Sequence, residues 1–269
     1  MSLTPLGVNP YTAIAKSNEK PPDMALKAFS AWLWGGESPE NNWGLDHEMP
    51  QWVQDIHNAY SGRCFLMGTG PSLASQVDLM PRMEKEYLFT CNRMKLWKDL
   101  KVRPFVHCVT EPQPFLEWGA SIIPIYDHPN AQNKVGCTWW PIRVPGWLWL
   151  PKAPEEIQVR WQGFYGMKEP FRPIPTGWAS PLTIAQLAAW MGFREFIFLG
   201  IDTTQQGQAW DATNGRTLQA RNIRSILECF DRARIDIQLA GAKVWDATPG
   251  GRVNAEGILP YRDLAELLA

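Results

Sequence analysis

The chain has 269 residues, with 26 Lys and Arg against 27 Asp and Glu, a formal net charge of −1. That balance excludes a surface built to coat nucleic acid or anionic lipid. With 45% hydrophobic and 20% charged residues, the composition is that of a globular protein rather than a disordered one, and the length allows one large or two small domains.

No apolar run reaches the roughly 18 residues that a membrane-spanning helix needs, so no integral membrane segment is expected. The first residues lack the basic start and apolar stretch of a signal peptide. The five cysteines, Cys64, Cys91, Cys108, Cys137 and Cys229, are odd in number and include no C-x-x-C pair. Reduced thiols and a cytoplasmic location are expected, not a disulfide or zinc framework. The 15 tryptophans are concentrated between Trp118 and Trp190. Such residues pack cores and loops, or wall a cleft for a sugar or base.

Residues 1–60 are rich in Pro and Asn and read as an N-terminal extension, with amphipathic helices over Met24–Trp34 and Pro50–Tyr60. The main domain begins at 61. A short apolar strand, Arg63–Met67, runs into the glycine turn Gly68-Thr-Gly-Pro-Ser72, and a helix follows from Leu73. Further strands are predicted at Tyr87–Cys91, Pro104–Val109 and Ser121–Ile125. Residues 126–172 are rich in Trp, Pro and Gly and show no period, which reads as an irregular, lid-like insertion.

Ser180–Met191 is predicted as a helix, with Pro181 in its first turn and Gly192 closing it. Glu195–Leu199 is a buried-type strand ending in Gly200-Ile-Asp202. Leu218–Ala233 is helical, Ile235–Leu239 and Lys243–Trp245 are each candidate strands, and a short helix follows Tyr261. The arginines of the 216–234 stretch alternate with acids and read as a solvated face. Strand–helix alternation predicts an α/β fold: a Rossmann-like, mainly parallel sheet with helices on both faces, an irregular Trp/Pro-rich insertion and an N-terminal extension.

Ligands in such sheets bind at the carboxyl ends of the strands. The polar and glycine turns at Gly68–Ser72, Asn92, Glu111 and Gly200–Asp202 all fall there. The first is a phosphate-type turn, since glycines admit close backbone approach and a helix N-terminus offers N–H groups. It lacks the third glycine of a dinucleotide fingerprint and the Gly-Lys-Ser/Thr of a P-loop. Taken alone it is a ligand site or a structural turn.

The stretches FLMGTGPSL, YLFTCNRM and IPTGWASPLTIAQLAAWMGFREFIFLGIDTTQQG resemble the bacterial lipooligosaccharide sialyltransferases that use CMP-sialic acid. They are similar also to a wider family that includes motility accessory factors of flagellar glycosylation and archaeal 6-hydroxymethylpterin pyrophosphokinases. The closing WDATPGGRVNAEGILPYRDLAELL resembles that wider family's ending. The resemblance covers about residues 62–112 and 173–269.

It implies a glycosyltransferase with a nucleotide-sugar donor of CMP type and a surface glycan as acceptor. Gly68, Thr69, Gly70 and Ser72 would lie under the nucleotide phosphate. Asn92 would help hold the nucleotide, Thr176 and Gly177 would contact the cytidine, and Gly200 and Asp202 would line the same pocket.

The departures are specific. Thr69 stands where the sialyltransferases usually carry asparagine, and Thr204 and Trp210 stand where they carry phosphate-binding tyrosines. No histidine follows His128, so the family's catalytic histidine has no counterpart. Asp211, Glu111, Asp202 and His128 remain as candidate bases. Two alternatives stay open: a pterin-type pyrophosphokinase, and a nucleotide- or glycan-binding protein without catalysis. Mg²⁺ enters only with the kinase alternative, where Val109–Gln113 offers one acid in place of an aspartate-rich motif. No metal site is otherwise expected, and a homo-oligomer stays open.

Overall fold

The computed structural model describes residues 55–109, 132–138, 148–151, 179–203, 209 and 220–269. Its centre is a sheet of seven strands: β1 (Arg63–Met67), β2 (Leu88–Cys91), β3 (Val106–Val109), β4 (Asn133–Thr138), β5 (Leu148–Pro151), β6 (Glu195–Leu199) and β7 (Lys243–Asp246). The order is β5-β4-β3-β2-β1-β6-β7, and every pairing is parallel. The expected α/β, Rossmann-like architecture is present.

Alternation along the strands sends side chains to two cores. Cys64 and Leu66 of β1, Phe89 of β2 and Phe196 and Phe198 of β6 pack under two helices, α1 (Ser180–Met191) and α2 (Ala220–Leu239). Phe65 and Met67 of β1 with Ile197 and Leu199 of β6 face the opposite way. There they meet Leu73, Met80 and Met83 of a 3-10 helical segment, Pro71–Lys85, and Leu264 and Leu267 of α4 (Leu264–Leu267). A fourth short helix, α3 (Arg252–Ala255), lies between β7 and α4 in the chain. Strands apolar on both faces suit a parallel sheet covered on both sides.

Several expectations hold in detail. Pro181 sits in the first turn of α1, and Gly192 ends it in the left-handed conformation at φ 111° with its N–H turned back onto the helix. A Cβ at Gly192 would run into the Tyr60 carbonyl oxygen. Cys64, Cys91, Cys108 and Cys229 are buried thiols outside any disulfide. Burial pushes the Cys64 thiol well up and the Cys229 thiol to about 11, which keeps both protonated and unreactive. On α2, Arg224 pairs with Glu228 and Arg234 with Asp231, as a solvated face requires.

Other expectations are corrected. Ile235–Leu239 is not a strand but the last turn and a half of α2. Its alternating apolar residues mimic a strand, yet only Ile237 is buried, while Ile235 and Leu239 are exposed. Ile223, Leu227, Phe230, Ala233 and Ile237 continue one helical stripe, and Gly241 at φ 73° stops it. The second strand starts at Leu88 rather than Tyr87. The helix expected from Leu73 is a 3-10 segment that begins at Pro71 and carries Pro81 inside it.

The span 126–172 is not wholly irregular. It supplies β4 and β5, which extend the sheet beyond β3. The rest of that span, and with it any lid, lies outside the described residues, as do the expected strand Ser121–Ile125 and helix Met24–Trp34.

Residues 55–60, the end of the expected N-terminal extension, are built into the domain. The Asn58 and Tyr60 N–H groups donate to the carbonyls of Trp190 and Met191, at 3.0 and 2.8 Å. His57 stacks on Trp190 with centroids 3.7 Å apart, and Tyr60 joins Tyr87, Phe105 and Phe193 in one aromatic cluster. Among the described residues no helix is long and apolar enough to cross a membrane.

Candidate functional site

From β1 the chain winds outward through β2, β3, β4 and β5, then returns to β6 on the other side of β1. The connections after β1 and β6 therefore leave in opposite directions. That reversal is the topological switch point, where open parallel sheets form a crevice at their carboxyl edge. The Gly68–Ser72 turn follows β1 and Gly200–Thr203 follows β6, so the fold brings these two predicted stretches face to face.

Their contact is close. The Gly68 N–H donates to the Leu199 carbonyl at 2.8 Å and the Gly70 N–H to the Gly200 carbonyl at 2.9 Å. The Ser72 N–H donates to Asp202 Oδ1 at 3.0 Å, and the Ser72 hydroxyl to Asp202 Oδ2 at 2.8 Å. The glycines are required by this approach. A Cβ on Gly68 would lie 2.5 Å from the Gly200 carbonyl oxygen, and one on Gly70 would fall on the Asp202 carboxylate.

This geometry has an electrostatic consequence. Four donors that a phosphate would use, three N–H groups and the Ser72 hydroxyl, already serve the fold. The turn instead presents Asp202, a group that accepts hydrogen bonds when ionised. Asp202 is 8% exposed; burial raises its pKa, and the side-chain and backbone bonds from Ser72 pull it back. With both oxygens engaged by Ser72, the carboxylate is a brace across the switch point.

Asn92 directly follows β2, in the left-handed region at φ 49°, and its side-chain amide donates to the Ser180 hydroxyl at 2.8 Å. It thereby ties the end of β2 to the first turn of α1. Thr203 also has positive φ, 51°, which is strained for a β-branched residue. Its hydroxyl donates to the Asp202 carbonyl at 2.7 Å. Two of the three non-glycine residues with positive φ among those described thus sit at this edge of the sheet.

The turn after β7 forms the third wall; the sequence marks Asp246–Gly251 as a turn before the last helix, with Gly250, Gly251 and Arg252 as an alternative phosphate contact, and the structure shows the turn. Asp246 is fully buried; its Oδ1 accepts from the Thr248 N–H at 2.8 Å and its Oδ2 from the Asn254 amide at 3.1 Å. Burial pushes its carboxyl up to about 6, against those hydrogen bonds and with a further push from the Asp202 charge. Gln76, from the segment after the glycine turn, donates to the Ala247 carbonyl at 2.9 Å. The Asp-x-Thr spacing at 246–248 is the signature of an aspartate side chain accepting from the backbone two residues on.

Histidine readings resolve simply where they can be seen. His107 is buried in β3 against the Thr90 hydroxyl at 2.9 Å, and His57 stacks on Trp190. Gly68, Thr69, Gly70, Ser72, Gly200 and Asp202 are brought together, with Asn92 at the end of the neighbouring strand. Glu111, His128, Thr176, Gly177, Thr204, Trp210 and Asp211 lie outside the described residues.

No family model and no curated protein sequence matches the chain. Among solved structures, the MAf glycosyltransferase from Magnetospirillum magneticum AMB-1 is similar, with a TM-score of 0.52 and 17% identity. The match covers 78% of this chain and 35% of that one, so the chain spans about a third of its neighbour's length. At that identity the likeness establishes a common fold, and the fold is the α/β, Rossmann-like one described above.

Proposed function

We propose that the chain is a glycosyltransferase-type domain that binds a nucleotide-sugar donor at the switch point between β1 and β6 and acts on a glycan. The observation that carries this reading is the convergence of Gly68–Ser72, Asn92 and Gly200–Thr203 on one edge of the sheet. The fold similarity to a MAf glycosyltransferase supports it and favours the wider superfamily over the sialyltransferases in particular. The motif resemblance makes CMP the first nucleotide to try.

In this reading the glycines let the β1 and β6 turns close on one another, so that one nucleotide can span both. A phosphate beside the Asp202 carboxylate would be repelled by the like charge, so the phosphates would sit along the turn away from it. Thr176 and Gly177 would complete the base pocket. An acceptor hydroxyl attacking the anomeric carbon must lose its proton, and a base within hydrogen-bond reach speeds that step. Asp211, Glu111 and His128 are the candidates for it; Asp202 is less suited because Ser72 occupies both of its oxygens.

A second reading, a nucleotide- or glycan-binding protein without catalysis, is favoured by Thr204 and Trp210 standing in place of phenols and by the turn's donors being already used. The pyrophosphokinase reading would require Mg²⁺ held by carboxylates.

Thermal unfolding with CMP, CDP, UDP, GDP, ATP with Mg²⁺, and a pterin separates them. A ligand at 100 times its dissociation constant adds about 2.7 kcal/mol of stability. Selective stabilisation by CMP is expected, and a CMP-sugar turned over with a glycan acceptor would separate transfer from binding alone. Stabilisation by ATP–Mg²⁺ or pterin alone would transfer the site to phosphotransfer chemistry, and no shift with any of them would make the glycine turn structural.

A further inference from the structure

We propose that Thr248 is a positioning residue for the Asp202 carboxylate, so that the turn after β7 sets the geometry of the switch-point site. The proposal deepens, and rests on, the reading of that site as a nucleotide pocket.

The connections run in one direction through the molecule. Asp246 and Asn254 fix Thr248: Asp246 Oδ1 accepts from the Thr248 N–H, and the Asn254 amide donates to the Thr248 carbonyl at 2.8 Å. The Thr248 hydroxyl, fully buried, then accepts from the Ile201 N–H at 3.2 Å. One residue on, the Asp202 carbonyl accepts from the Arg252 N–H at 3.2 Å. Asp202 is therefore held on both sides of its backbone by the 248–252 turn, and its carboxylate in turn holds Ser72.

The arrangement is over-determined in a way that plain loop packing does not need. Thr203, directly after Asp202, is in a strained left-handed conformation, which persists only where neighbouring bonds enforce it. The Ala247 N–H also donates to the Phe198 carbonyl at 2.8 Å, anchoring the turn to β6 just before the loop begins. Removing the Thr248 hydroxyl leaves the buried Ile201 N–H without its acceptor, and the loop's most direct relief is to shift Asp202 away from Ser72.

The test compares Thr248→Val, which keeps shape but loses the acceptor, with Thr248→Ser, which keeps the acceptor. Two readouts are used: amide hydrogen exchange at Ile201 and Ser72 relative to Leu66 in β1, and affinity for CMP. In Thr248→Val, exchange at both Ile201 and Ser72 is expected to accelerate about tenfold relative to Leu66, with CMP affinity falling about tenfold. Thr248→Ser should restore both.

Acceleration at Ile201 with Ser72 and CMP affinity unchanged would overturn the proposal. Failure of the unmodified protein to bind CMP would remove the nucleotide reading, while the Ser72 exchange still decides the positioning role. Should Thr248→Val not fold, Asn254→Ala, which frees the Thr248 carbonyl from its side-chain donor, is expected to accelerate Ser72 in the same sense. Unchanged Ser72 exchange in that variant would equally overturn the proposal.

Discussion

Gly70→Ala is expected to cost about 3 kcal/mol of stability and to abolish nucleotide binding. The backbone of Gly70, at φ −66° and ψ 154°, is open to any residue, so conformational strain is not the cause. The cost is steric. The added methyl would fall on the Asp202 carboxylate and lie 2.7 Å from the Gly200 carbonyl oxygen.

Either the carboxylate swings away and gives up its two bonds from Ser72, or the β1 turn separates from the β6 loop. Both routes open the switch point. Denaturant unfolding measures the loss, and the double variant Gly70→Ala/Asp202→Ala identifies its origin. Because Asp202→Ala removes the obstructing carboxylate, the double variant should be destabilised by less than the sum of the singles. Strict additivity would show that the Gly70 cost does not arise at Asp202.

Asp246 should make stability fall as pH rises through the mildly acidic range. Burial lifts its folded pKa to about 6, well above the ordinary value of an aspartate. The folded state therefore holds its proton more tightly than the unfolded state. The contribution is fully present below about pH 4 and is lost as pH rises through about 6. Two pKa units correspond to about 3 kcal/mol.

Burial raises the Asp202 carboxyl as well, so the quantity to measure is the difference from Asp246→Asn. Unfolding free energies of both proteins between pH 4 and 7 should converge or cross as the wild-type advantage at low pH disappears. The asparagine keeps an acceptor for the Thr248 N–H but opposes an amide to Asn254, so a constant offset is also expected. A difference independent of pH would contradict the raised pKa.

The parts of this fold that were legible in the sequence are those where local chemistry and burial agree. Arg63–Met67 and Glu195–Leu199 are apolar, bounded by glycine turns, and form adjacent central strands. Pro181 and Gly192 mark the ends of α1 because each suits one backbone geometry only. Ile235–Leu239 misled because alternation over five residues satisfies a strand as well as a helix face. The longer stripe from Ile223 to Ile237 decides the matter through burial.

β4 and β5 are not legible because they lie in a stretch rich in Trp, Pro and Gly that shows no period of its own. Asn133-Lys-Val-Gly-Cys-Thr138 carries little strand signal of its own and is recruited by pairing with β3.

At the site, the sequence located the residues but not their relations. Gly68–Ser72 and Gly200–Asp202 were singled out separately as strand-end turns. That they bind one another, and that the Asp202 carboxylate takes the place at Ser72 first expected for a phosphate, depends on the parallel pairing of β1 with β6. The bond from the Ile201 N–H to the Thr248 hydroxyl is hidden for the same reason, since it depends on the parallel pairing of β6 with β7.

The most direct test of the nucleotide site is amide hydrogen exchange of the intact chain with and without saturating CMP. Added protection is expected at Gly68–Ser72, Asn92 and Ile201–Thr203, the three stretches that meet at the switch point. Protection confined to other segments, or no change with CMP or any other nucleotide, would contradict it.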